Sequence, residues 1–203
     1  TVINGIFLKN LLSNNQIKSI IYSSLSISGI VKKFNQEEAK EAMRDGYVVI
    51  LVGGTGNPYF TTDTTAVLRA LELDCDVLLK GTKVDGIYDK DPEKFSKVKK
   101  FTKLDYNYVI NNKLRIMDMT SIIMAEEANL PIIIFSIKKK NELKKVIDKE
   151  TEYTIPKRCW EVYQQNLAVG PHSLLTILLF ELQAADFMPV SYTHLTLPTN
   201  REV

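Results

Sequence analysis

The sequence predicts an α/β protein, a mainly parallel sheet sandwiched by helices. Apolar runs of strand length recur along the chain: "IKSIIYSS" (17–24), "YVVILV" (47–52), "DVLLKG" (76–81) and "PIIIFS" (131–136). These runs are nearly continuous rather than alternating, which is the pattern of strands buried on both faces. Between them lie segments with helical spacing and recognisable helix ends, and strands that alternate with helices build parallel sheets.

In order, residues 2–12 place Val2, Ile6, Leu8 and Leu12 at roughly helical spacing, and "IKSIIYSS" follows as a strand. Asn35 then precedes "QEEAKEAMRD", with Glu38 three positions on and Gly46 after the run. That is a helix with a capping-box pattern in front and a glycine stop behind. After the strand "YVVILV" comes "GGTGNPYFTTD" (53–63), with three glycines, Asn-Pro, two aromatics, two threonines and an acid. Glycine permits unusual backbone, Asn-Pro favours a turn, and Thr or Asp caps a helix, so the stretch predicts an open loop ending at a helix N-terminus. "TTAVLRALELD" (64–74) continues as that helix, with Val67, Leu68 and Leu71 on one face. "DVLLKG" and "PIIIFS" supply two more buried strands. Ligands of such sheets bind beyond the carboxyl ends of the strands, where the open loop lies.

Size and charge narrow the function classes. At 203 residues and 45% hydrophobic content the chain suits one domain with a substantial core. Its 26 basic and 24 acidic residues leave a net charge of +2, no electrostatic reason to expect nucleic acid or an anionic membrane as partner. Cys75 and Cys159 form no CxxC pattern, which fits a reducing compartment. "LLTILLF" (174–180) is far too short to cross a bilayer, and no signal-peptide pattern opens the chain. The expected location is the cytoplasm. Strand-helix alternation stops after about Pro156, so residues 1–156 read as the domain and 157–203 as an artefactual or disordered tail. That tail holds Trp160 and both histidines, His172 and His194, which have no acidic cluster beside them and define no metal site.

The glycine loop fails the P-loop pattern, because no Lys-Ser/Thr pair follows, and fails the dinucleotide fingerprint, because Tyr59 stands where a third glycine belongs. Thr61, Thr62 and Asp63 nevertheless lie where a helix begins, so free amides and hydroxyls there suit a phosphate, Thr62 best. Asp63 alternatively reads as an N-terminal helix cap or a partner of the helix dipole. The second informative stretch is "LLKGTKVDGIYDKDP" (78–92), again a strand followed by a loop, in which Tyr88 offers an aromatic face and Lys83, Asp89, Lys90 and Asp91 supply mixed charge. Both loops leave buried strands and belong on one rim of the sheet.

"GTGNPYFTTD", "DVLLKGTKVDGIYDKDP" and "LRIMD" (114–118) together resemble the bacterial UMP kinases of the amino-acid kinase family, over about residues 1–156. The resemblance implies the amino-acid kinase fold and ATP-dependent phosphorylation of UMP to UDP in pyrimidine biosynthesis. It implies that Thr55, Gly56, Asn57, Pro58, Tyr59, Phe60, Thr61 and Thr62 line the UMP site, and that Thr82, Tyr88 and Asp91 contact ATP. Asp63 matches an acid that organises phosphate-binding groups during transfer. Asp118 matches an acid of less defined role and reads as a cap for a helix over 119–129. The resemblance further implies Mg²⁺ accompanying ATP and a homohexamer under nucleotide control.

By the same resemblance, family members begin with a strand and a lysine-containing glycine loop, and carry a second glycine loop later. "TVINGIFLKNLL" instead resembles a helix that comes after both. The expectation is an N-terminally truncated chain without kinase activity of its own, since phosphoryl transfer depends on those charge-neutralising donors. Were the chain to turn over nonetheless, Lys80 and Lys83, beside Thr82, would be the first suspects as replacements. Two alternatives accompany this reading: another amino-acid kinase acting on a carboxylate or carbamate, or a non-catalytic nucleotide-binding remnant.

Overall fold

A computed structural model describes residues 1–84, 86–89, 95–101, 104–114 and 116–148, and the backbone of 176–180. The order of elements is α1 (Val2–Asn14), β1 (Ser19–Ser23), β2 (Lys32–Lys33), α2 (Gln36–Arg44), β3 (Val48–Val52), α3 (Thr62–Glu72), β4 (Val77–Thr82), β5 (Ile87–Tyr88), β6 (Lys100–Phe101), α4 (Tyr106–Asn111), α5 (Met119–Glu127), β7 (Ile132–Ser136), α6 (Glu142–Ile147) and β8 (Thr176–Phe180). The strands form two parallel three-stranded groups, β2-β1-β3 and β7-β4-β8, and an antiparallel β5-β6 ribbon.

The β1-β3 group is covered on both faces, and the period-2 alternation of its side chains shows how. Ile21, Ile50 and Val52 face α1, where Val2, Ile6, Leu8 and Leu12 pack on them. Ile20, Tyr22, Val49 and Leu51 face the larger core with Ala39 of α2 and Ala66, Val67 and Ala70 of α3. Gly5 lets α1 come this close: a Cβ there would stand 2.5 Å from Val52 Cγ1 and 2.8 Å from Ile21 Cδ1. Burial runs through nearly every residue of β4 and all of β7, as their unbroken apolar sequences predict.

The predicted helix ends hold at α2, where the Asn35 side chain accepts from the Glu38 amide at 3.0 Å. At α3 the helix starts two residues earlier than its apolar pattern suggests, and its buried stripe is Thr64, Ala66, Val67, Ala70 and Leu73, with Leu68 and Leu71 half-buried. Small residues take the inner face because α3 lies against both β4 and α5. One departure concerns the segment set apart as a tail. Its residues Thr176–Phe180 run parallel to β4, with Val77 opposite Thr176 and Gly81 opposite Phe180. Thr176–Phe180 is an apolar run of strand length, and β4 has an edge to give it. Trp160, His172, His194 and Cys159 lie outside the described residues.

Candidate active site

Within each three-stranded group the strands run parallel, and the predicted loops leave the carboxyl ends of β3 and β4. After β3 the backbone takes positive φ at Gly53, Gly54, Gly56 and Tyr59. At Gly53 both conformation and space require glycine, because φ is +81° and a Cβ would lie 2.7 Å from Ser23 Oγ. The loop is seated on the end of β1: the Ser24 amide donates to Val52 O at 3.1 Å, and the Ser24 hydroxyl donates to Gly54 O. Arg69 of α3 steadies that serine, donating to its Oγ at 3.0 Å while stacked 4.0 Å over the Phe34 ring and paired with Glu72. Thr55 closes a small turn, its Oγ1 accepting from the Asn57 amide at 3.0 Å. Residues 56–60 are exposed, and Tyr59 is 101% accessible.

Thr61 is the N-cap of α3, its hydroxyl oxygen accepting from the amides of Asp63 and Thr64. Asp63 is therefore not the cap, which falls two residues earlier where Thr61 has the extended backbone a cap needs, but it is the acid in the first turn of α3, as the dipole-partner alternative has it. Asp63 lies in the first turn, 9% exposed, with Lys80 of β4 donating to its two oxygens at 2.9 and 3.0 Å. Lys80 also donates to Ile116 O at 3.1 Å and is itself 2% exposed. Its ammonium is thus engaged in the interior, which counts against Lys80 as a substitute for a phosphate-binding lysine. Lys83, by contrast, is exposed.

Asp118 does cap a helix, accepting from the Ser121 amide at 3.0 Å, though α5 ends at Glu127 rather than Asn129. It does more than cap. Thr61 donates its hydroxyl to Asp118 at 2.5 Å and Thr64 donates to both carboxylate oxygens at 3.0 Å. Partial burial pushes the Asp118 carboxyl up, but the hydrogen bonds from Thr61, the Ser121 amide, Thr64 and the Thr120 amide outweigh it and hold the carboxyl below its ordinary value.

Thr82 ends β4 two residues beyond Lys80, so the two side chains leave the same face of the strand. Its hydroxyl closes the next turn, donating to Val84 O at 2.7 Å. Tyr88 is half-buried on β5, and Asp91 lies outside the described residues. The contacts thus join Thr61, Asp63, Lys80 and Asp118 into one cluster. Sequence reasoning named Lys80 only as a stand-in for a phosphate-binding lysine, not as the partner of Asp63, and missed Ser24 and Arg69, which seat the other end of the loop. The lysine inside the apolar run "DVLLKG" was the available signal, because a charge in a doubly covered strand needs a buried partner.

Parallel strands flanked by helices, with a glycine loop and a threonine-capped helix start after β3, make up an α/β protein of the kind whose helix N-termini can accept anions. The chain belongs to the amino acid kinase family, whose profile matches residues 1–136. It is 45% identical over 154 residues to a uridylate kinase of Rickettsia bellii (strain RML369-C), and 44% over 155 residues to one of Magnetococcus marinus, in each case 76% of this chain and 64% of the relative. A UMP kinase structure from Ureaplasma parvum superposes with a TM-score of 0.73 and 34% identity, over 77% of this chain and 67% of the other. One from Bacillus anthracis gives 0.73 and 28%, over 77% and 65%. The chain spans about 64% of the length of the curated relatives it matches.

Proposed function

We propose that this loop and helix start form the acceptor-nucleotide site of an ATP-dependent UMP kinase, which moves the γ-phosphoryl group of ATP to a phosphate oxygen of UMP and yields UDP and ADP. The observation that carries the reading is the loop 53–62, seated at both ends and leaving Tyr59 and Phe60 exposed between them. An exposed aromatic suits a base, and the α3 start suits its phosphate. Because the Thr61 cap uses the amides of Asp63 and Thr64, Thr62 is the first-turn residue whose amide and hydroxyl remain for that phosphate. Thr55, Gly56, Asn57, Pro58, Tyr59, Phe60, Thr61 and Thr62 form the UMP surface in this reading, and Asp63 is its catalytic acid. Thr82, Tyr88 and Asp91 form the ATP side.

Transfer of a phosphoryl group depends on positioning and on neutralising the charge that spreads over its oxygens. In this reading Mg²⁺ arrives as part of the Mg-ATP substrate. Self-assembly belongs to the same reading. Ile3, Phe7 and Leu11 form an exposed apolar stripe at i, i+4 and i+8 on the side of α1 away from the sheet, and a second copy covering it is a step toward the homohexamer. No described helix is long and apolar enough to cross a membrane.

Titration of the chain with UMP and CMP, followed by amide chemical shifts, tests the acceptor assignment. UMP is expected to move the resonances of residues 55–62, with CMP at least tenfold weaker. Equal response to both, or none from either, overturns it. A coupled ADP-release assay with Mg-ATP, comparing wild type and Asp63→Asn, then tests the role of the acid in any preparation that turns over. Unchanged turnover in the variant removes Asp63 from the catalytic group.

A further inference from the structure

We propose that Lys80 is the positioning residue of this site, fixing the Asp63 carboxylate in one orientation at the start of α3. The proposal rests on the reading of Asp63 as the acid of a phosphoryl-transfer site. Lys80 is 2% exposed, so its ammonium is not available to a bound nucleotide. Among the described residues the ammonium donates to Asp63 Oδ1 at 2.9 Å, Asp63 Oδ2 at 3.0 Å and Ile116 O at 3.1 Å. Those acceptors come from two other parts of the chain, the first turn of α3 and the stretch leading into α5. A single side chain on β4 therefore sets the spacing of both against the sheet.

A buried ion pair is a costly way to gain stability, because apolar side chains of similar volume commonly do as well or better. What the pair provides here is direction. Contact with both oxygens of Asp63 draws the carboxylate toward one point beside β4, which restricts the side chain to the χ1 rotamer that reaches it. The grip is separate from the anchors of the neighbouring loop, which is held by Asp118 at Thr61 and by Ser24 at Gly54. Removing the Lys80 ammonium should loosen Asp63 without loosening Thr61. A lysine that merely supported the core would give no such separation.

The test uses the full 203-residue chain with NMR detection. In wild type, the Lys80 ammonium should give a slowly exchanging ¹⁵N signal with a through-hydrogen-bond correlation to the Asp63 carboxyl carbon, lost in Asp63→Asn. Side-chain three-bond couplings should place Asp63 in one χ1 rotamer, and Lys80→Met should average them over at least two while those of Thr61 stay unchanged. Absence of the ammonium correlation in wild type overturns the proposal, even where Lys80→Met fails to fold. An Asp63 that keeps its single rotamer in folded Lys80→Met overturns it too. UMP titration of wild type is read separately: unmoved resonances at 55–62 overturn the nucleotide reading, while the correlation and couplings still decide whether Lys80 holds Asp63.

Discussion

The hydroxyl of Thr61 lies 2.5 Å from Asp118 Oδ2, across 57 residues of sequence, and so the helix that begins at Thr61 is tied to the one that begins after Asp118. One carboxylate serves both helix starts. Asp118→Ala removes the cap of α5 and leaves the buried Thr64 hydroxyl without its partner. The expected loss is about 2–3 kcal/mol in urea unfolding, combining a lost cap with an unsatisfied hydroxyl. A change below about 0.5 kcal/mol, the range of ordinary surface substitutions, counts against the double role.

The same carboxylate predicts an acid dependence. Its folded-state value is depressed, so the stability it contributes is complete above the unfolded value of about 3.9 and is lost as pH falls through the lower folded value. Urea midpoints between about pH 5 and pH 2.5 should fall less steeply in Asp118→Asn than in wild type. Parallel curves would show that the carboxylate is not held below its ordinary value.

Gly53→Ala tests the seating of the loop. A non-glycine residue at φ +81° is strained, and the new Cβ meets Ser23 Oγ at 2.7 Å. The expected destabilisation is about 1–3 kcal/mol, read by thermal melting. UMP-induced shifts at 55–62 should weaken with it. A neutral result would mean that the Ser23–Gly53 approach is looser than described.

Cys75 should resist alkylation in the folded chain. Burial, with smaller contributions from Asp76 and Asp74 and opposition from Lys40, pushes its thiol up to about 12. The unfolded thiol ionises near pH 8.5, so this group's contribution is present below that value and is lost as pH rises toward the folded one. Mass-spectrometric labelling of the Cys75 peptide at pH 8 should be at least a hundredfold slower in buffer than in urea. Comparable rates would place the thiol at the surface.

Phe7→Glu addresses assembly. Phe7 sits mid-stripe between Ile3 and Leu11, 55% exposed, so the substitution puts charge on the contact without touching the face that packs on β1 and β3. Sedimentation velocity should show wild type associating and the variant shifted to the single chain. Identical profiles would remove the stripe from the assembly.

The parallel architecture was legible because its cues are local. Apolar continuity marked β1, β3, β4 and β7, and the spacing of Val2, Ile6, Leu8 and Leu12 marked the face of α1 that packs on the sheet. Asn35 was legible as a cap for the same reason, since its partner is three residues away. The two-residue strands β2, β5 and β6 carry too little pattern to announce themselves, and their pairing is a tertiary outcome. The cap of α3 was placed ambiguously because Thr61, Thr62 and Asp63 are all capping residue types, and backbone geometry decides among them. Lys80 with Asp63 and Thr61 with Asp118 were hidden, because side chains that meet across distant elements leave no periodic trace.

The loop between β3 and α3 is pinned at Gly54 by Ser24 and at Thr61 by Asp118, with residues 56–60 exposed between the pins. Its motion is therefore that of a short tethered flap. The span between pins is so small that ordering it costs little chain entropy, and excursions on the nanosecond-to-microsecond scale need disturb neither helix nor sheet. Local opening here should stay kinetically separate from global unfolding, leaving Tyr59 and Phe60 free to swing while the start of α3 holds still.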